Sequence, residues 1–144
     1  MLRIKSDLSN ININARDLLK VKGKLQVGFF ESAKYPNGVY VAQVARYNEF
    51  GTSKIPMRPF FRNAINTNTK KWFTSMQQLL RANDDRVLEK VGEIARGDIV
   101  QSITTLNTPP NKQSTIDTKK SSNPLIDTGL MRRSVTYKVS KWIY

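Results

Sequence analysis

The chain has 144 residues, with 24 Lys and Arg against 11 Asp and Glu, no cysteine and no histidine, giving a formal net charge of +13. One domain of this length can bury a core without staples, and the two absences remove disulfides, zinc fingers, Cys nucleophiles, His bases and His-ligated metals together. The basic excess calls for an anionic partner, nucleic acid first, yet it is dispersed: Lys70-Lys71, Lys119-Lys120 and Arg132-Arg133 are short pairs that read individually as solvated surface.

Residues 1–10 alternate apolar and charged side chains without a continuous apolar run, so they do not read as a signal peptide. No charge-free apolar stretch is long enough to span a bilayer, and the expectation is a protein made and folded in the cytoplasm. Residues 24–31 alternate well enough for a strand, with Leu25, Val27 and Phe29 on one face. Tyr35-Pro36-Asn37-Gly38 is a turn signal. Residues 39–50 have a helical period, with Val41, Val44, Ala45 and Asn48 on one side and Gly51 placed to end the helix.

Pro56 and Pro59 forbid a helix interior, but Pro59 suits the first helical position. From there Phe61, Ala64, Ile65, Asn68, Trp72, Met76 and Leu79 fall on one stripe, which predicts a helix to about Arg81 with Trp72 in the core. A second stripe follows through Leu88, Val91, Ala95, Ile99, Ser102 and Leu106. Gly92 and Gly97 each weaken that helix by roughly 1 kcal/mol relative to Ala, so close packing is the expected reason for both. Asn83 to Asp85 either cap the second helix or lie inside one long bent helix. Asp84-Asp85 is the only adjacent acidic pair, and capping explains it; the other carboxylates are scattered singly, and no catalytic constellation is legible.

Residues 107–124 are polar, carry proline near both ends, and read as a long loop, either functional or mobile. Residues 125–133 fit a helical turn begun by Asp127 or Thr128, and Ser134 to Ile143 alternates as a terminal strand with Val135, Tyr137 and Val139 on one face. The predicted architecture is α+β: a small antiparallel or mixed sheet packed against two long helices, with a long polar loop before a C-terminal strand.

Three segments in this order resemble tail-completion proteins of tailed bacteriophages. They are Gly28–Gly38 followed by Val41-Ala42 and Asn48-Glu49-Phe50-Gly51-Thr52; Ile55-Pro56-Met57-Arg58-Pro59-Phe60-Phe61-Arg62; and Pro109-Pro110 with Ser114-Thr115-Ile116 and Pro124 to Val135. The likeness covers roughly residues 25–140, and the ordered set is more specific than any piece. It departs from the pattern at Met57, where a small or polar residue often precedes the Arg-Pro-Phe core, and at Asn111, where leucine is usual.

The resemblance implies a structural virion protein without catalytic activity or cofactor. Such a subunit forms a ring of six or twelve copies at the neck or upper tail, joins the head connector to the tail tube or terminator, and lets DNA pass. It makes Glu49, Phe50, Gly51, Thr52, Arg58, Phe60, Arg62, Asp127, Thr128 and Gly129 candidate subunit or partner contacts. Two simpler readings stand beside this. Residues 58–62 could be a helix start plus core, with Phe61 inward, and residues 49–52 only a helix end.

Arg132, Arg133, Lys138 and Lys141 are candidates for a DNA-facing lumen, although strand alternation puts Lys138 and Lys141 on opposite sides. Asp127-Thr128-Gly129 is also similar to the nucleophile loop of aspartic proteases, which needs a second such loop; a helix cap is simpler. The rival from another class is a sequence-independent DNA-binding module, which predicts basic residues on one helix face or aromatics spaced for stacking. Neither is legible in the sequence.

Overall fold

The computed structural model describes residues 15–119, 122, 123, 125 and 129–141. Its elements are α1 (Ala15–Leu18), β1 (Lys24–Gly28), α2 (Val41–Phe50), α3 (Phe60–Arg81), α4 (Val87–Thr105), α5 (Gln113–Lys119), α6 (Leu130–Arg133) and β2 (Thr136–Ser140). The fold is α+β, as its patterning predicts, and the sheet is antiparallel: β1 and β2 pair from Lys24↔Ser140 to Gly28↔Thr136.

The two long helices form an antiparallel hairpin rather than one bent rod, and the break lies at the residues that left this open. Asn83 takes a left-handed conformation with φ of 52°. Asp84 N–H then reaches back to the Leu79 carbonyl at 3.0 Å and Asn83 N–H to that of Leu80 at 3.2 Å. This double closure satisfies the last carbonyls of α3 and turns the chain away. Asp84 serves the next helix too, accepting from Arg86 N–H at 2.9 Å and from Lys90. The Lys90 contact, followed by the backbone donor, holds the Asp84 carboxyl below its ordinary pKa.

Alternation in the strands sets what the sheet buries. Leu25 pairs with Val139 and Val27 with Tyr137, and this face lies on α4, where the Tyr137 ring and Leu25 sit directly over Gly92. A β-carbon at Gly92 would stand 2.7 Å from Tyr137 Cδ2 and 2.9 Å from Leu25 Cδ1, so contact with the sheet requires that residue to be glycine. Gly97 differs from expectation. It is exposed, and a β-carbon there would meet nothing within 4 Å. Gly97→Ala is therefore expected to stabilise the protein by about 1 kcal/mol through helix propensity alone, raising the thermal midpoint by about 2–4 °C; a calorimetric scan checks this.

The core has two parts. One joins α2, α3, α4, α6 and the residue before β2 through Val41, Ala45, Phe60, Ile99, Ile103, Met131 and Val135. The other, towards the hairpin turn, is built on Leu80, Val87 and Val91, with Trp72 and Met76 packed against it. Trp72 is only half-buried. Its indole N–H donates to Asp98 Oδ2 at 2.6 Å while Lys71 Nζ takes Oδ1 at 2.6 Å, so a carboxylate on α4 ties down two neighbours on α3.

The expected loop over 107–124 holds a seven-residue helix, α5. Thr115 and Ile116 N–H both bond to the Lys112 carbonyl, and Gln113 reaches Asp117 one turn on. Local polar bonding supplies what a missing apolar stripe does not.

Candidate assembly interface

The two motif segments at 48–52 and 58–62 are joined through Glu49. Helix α2 turns its Val41, Ala45 and Glu49 side inward, which carries the carboxylate to the N-terminus of α3. There Phe61 N–H donates to Oε2 at 2.8 Å and Arg62 N–H to Oε1 at 3.2 Å. Pro59, the preceding residue, makes no side-chain cap. Glu49 thus answers two unpaired donors and the positive end of the helix dipole from a distant position. Arg62 closes the arrangement with Nε on Oε1 at 2.8 Å and Nη2 on the Glu49 carbonyl at 3.0 Å.

Arg58 performs a second tie. Its backbone N–H donates to the Asn48 carbonyl at 2.7 Å. Its guanidinium reaches Pro109 O at 3.0 Å, Asn111 Oδ1 at 3.0 Å, Pro110 O at 3.4 Å and Asn48 Oδ1 at 3.4 Å. Burial lowers the Arg58 pKa from its ordinary value, and neutral oxygens, rather than a carboxylate, offset the lost water. Asn111 thereby supplies an acceptor that a leucine could not. The chain between the two motifs is turned by Gly51, with φ of 72°, where a β-carbon would press on Met57 N at 3.0 Å and Ile55 O at 3.1 Å.

These contacts revise the list of surface candidates. Glu49 and Phe60 are 0% exposed and Arg58 is 4% exposed, so none offers its side chain to another subunit. Phe60 packs edge-on against both Phe29 and Phe61, so the paired phenylalanines both point inward. Gly129 is buried too, ahead of α6 with φ of 76°. Phe50 and Thr52 remain exposed, and Arg62 and Gly51 are half-exposed. Asp127 and Thr128 lie outside the described residues.

The lumen candidates are distributed. Arg132 on α6 is half-buried and Arg133 exposed. Lys138 is exposed on the outer face of the sheet, its Nζ 4.3 Å from the centre of the Phe30 ring, and Lys141 is exposed just past β2.

A surface that was not singled out from the sequence lies on the other side of α2. Between α2 and the Val27–Glu31 segment runs a groove of about 750 Å³. Its floor includes Phe29, Ala45 and Phe61, and Tyr40, Tyr47 and Phe50 stand along its helical wall. These three rings are 41%, 37% and 48% exposed. Their spacing of seven and three residues was a readable signal, hidden because the inward stripe accounts for the helix without it. Cations sit on the rings: Lys34 over Tyr40 at 4.5 Å and Arg62 over Phe50 at 5.2 Å, with Lys138 over Phe30.

Among the described residues no group of three or more Asp, Glu, His or Cys could hold a metal ion, and no helix is long and apolar enough to cross a membrane. Comparison with protein-family models, curated proteins and solved structures found no match.

Proposed function

We propose that this chain is a structural subunit of a tailed-phage virion, assembling as a ring of six or twelve copies at the neck or upper tail between the head connector and the tail tube or terminator. The observation that supports the reading is how the resembling segments meet. Residues 48–52 and 58–62 are close along the chain and 109–110 lie far from both, and Glu49 and Arg58 bind all three into one junction. The junction holds Phe50, Thr52 and Met57 at the surface as a ledge.

A closed ring uses heterologous contacts, one face of a subunit against a different face of the next, and the ledge supplies one such face. The basic excess then meets passing DNA without reading its sequence, with Arg132, Arg133, Lys138 and Lys141 as the lumen candidates. A reconstruction of the virion is expected to place the chain in a neck or upper-tail ring, and density in the capsid shell or tail fibres would overturn the proposal. Replacing Arg132 and Arg133 with Ser is expected to leave rings intact and impair DNA retention or ejection; failure of the rings to assemble would move those arginines to the subunit boundary.

The second reading, a free DNA-binding module, draws on the cations beside the aromatic groove. It predicts tight, salt-sensitive binding of DNA by the isolated chain. The neck reading expects that binding to be weak.

A further inference from the structure

We propose that the groove between α2 and the Val27–Glu31 segment is a docking site for an acidic, apolar-rich peptide segment of a partner protein. Its floor takes apolar side chains, since Val27, Phe29, Ala45 and Phe61 line it. Its surroundings are positive, because Lys34, Arg62 and Lys138 rest on the lining rings Tyr40, Phe50 and Phe30 while the lining itself carries Arg46 and Glu31. Arg46 lines the groove, is exposed, and has no ion-pair partner among the described residues. Lys34 and Lys138 rest on ring faces that leave their charge uncancelled, and Arg62 alone shares its charge with a carboxylate. The one acid lining the groove is Glu31. A segment that alternates carboxylates with large apolar residues matches both features, its apolar side chains entering while its acids meet the surrounding cations.

Other occupants fit less well. A second copy of this chain carries the same +13, and its Asp17, Glu49, Asp84, Glu93 and Asp98 are already held by its own cations. Single-stranded nucleic acid would bind by stacking bases on the rings, but Lys34, Arg62 and Lys138 each cover a face of Tyr40, Phe50 and Phe30. A base could stack on those faces only by displacing the cation.

The site does not depend on the ring reading, because binding is measured on the free chain. The probe is a short fluorescein-labelled peptide in which Asp and Glu alternate with Leu and Phe. Its counterparts are the same peptide with Lys in place of the acids and a labelled oligo(dT). Anisotropy titration is expected to show saturable binding of the acidic peptide alone. Arg46→Glu and Tyr47→Ala, both at exposed positions, are each expected to weaken it about tenfold, the first by reversing a charge and the second by removing an anchor ring. Circular dichroism and unfolding midpoints should match the parent chain.

Absence of saturable binding, equal binding of the lysine peptide, or acidic-peptide binding that both variants leave unchanged would each overturn the assignment. Oligo(dT) binding lost in both variants would give the groove to nucleic acid. Self-association abolished by Arg46→Glu in sedimentation would give it to a second copy.

Discussion

Glu49→Ala is expected to destabilise the protein by about 3–5 kcal/mol, the range for removing one partner of a buried ion pair. The carboxylate is wholly buried and serves Phe61 N–H, Arg62 N–H and Arg62 Nε together. Truncation leaves one buried and one part-buried donor at the start of α3 without an acceptor, and a guanidinium without its partner. Glu49→Gln retains an acceptor oxygen and should fall between the parent and Glu49→Ala. Arg62→Ala should cost less, because the Arg62 side chain is 34% exposed and water can replace part of what is lost. Urea titration of the three variants, with equal denaturant slopes, tests the order. A Glu49→Ala cost within 1 kcal/mol of zero, or an Arg62→Ala cost equal to it, would remove Glu49 from its place as the keystone.

Gly92→Val should cost about 3 kcal/mol, at the upper end of overpacking penalties. The first added carbon already meets the Tyr137 ring well inside contact distance. Gly92→Ala is milder, because roughly 1 kcal/mol of helix propensity offsets the clash. Coupling identifies the cause. In a Tyr137→Ala background the ring is gone and the Leu25 methyl can turn aside, so Gly92→Ala should become neutral or stabilising. Denaturation of the four chains in this cycle measures the interaction, and simple additivity would show that the ring is not what the glycine accommodates.

Most of the framework was legible because it is periodic. The stripe from Phe61 to Leu79 and the alternation at Val135, Tyr137 and Val139 give helix and strand directly, and Pro59 and Gly51 mark boundaries through their backbones. The residues that make the junction were legible as a pattern but not in their roles. Glu49 reads as a polar residue near a helix end. Only the fold reveals that the end of α2 lies against the start of α3, which turns a surface acid into a buried cap. Phe60 shows the same limit, since two adjacent aromatics on a helix suggest one inward and one outward until Phe29 and Ser102 are seen beside it. Gly92 and Gly97 look alike in sequence and differ entirely in what faces them. Helix α5 is not legible in the sequence because its stabilising bonds are polar and local and it carries no apolar stripe. The aromatic groove is hidden because the inward side of α2, with Val41 and Ala45, accounts for that helix by itself.

The sheet also constrains the order in which the molecule can be made. Strand β1 is among the first described elements to leave the ribosome, but its only partner among the described residues is β2, the last. Until translation has passed α3, α4 and α6, β1 has no strand to pair with among the described residues. The α3–α4 hairpin, whose contacts are near neighbours along the chain, can form in the meantime and present Gly92 as a waiting seat. Closing the ladder joins segments separated by most of the described chain, a loop whose entropy must be met before any pairing is gained. The two strands are therefore expected to zip last, onto helices already in place, and a nascent chain stalled after α4 should show helix in hydrogen exchange while β1 amides remain unprotected.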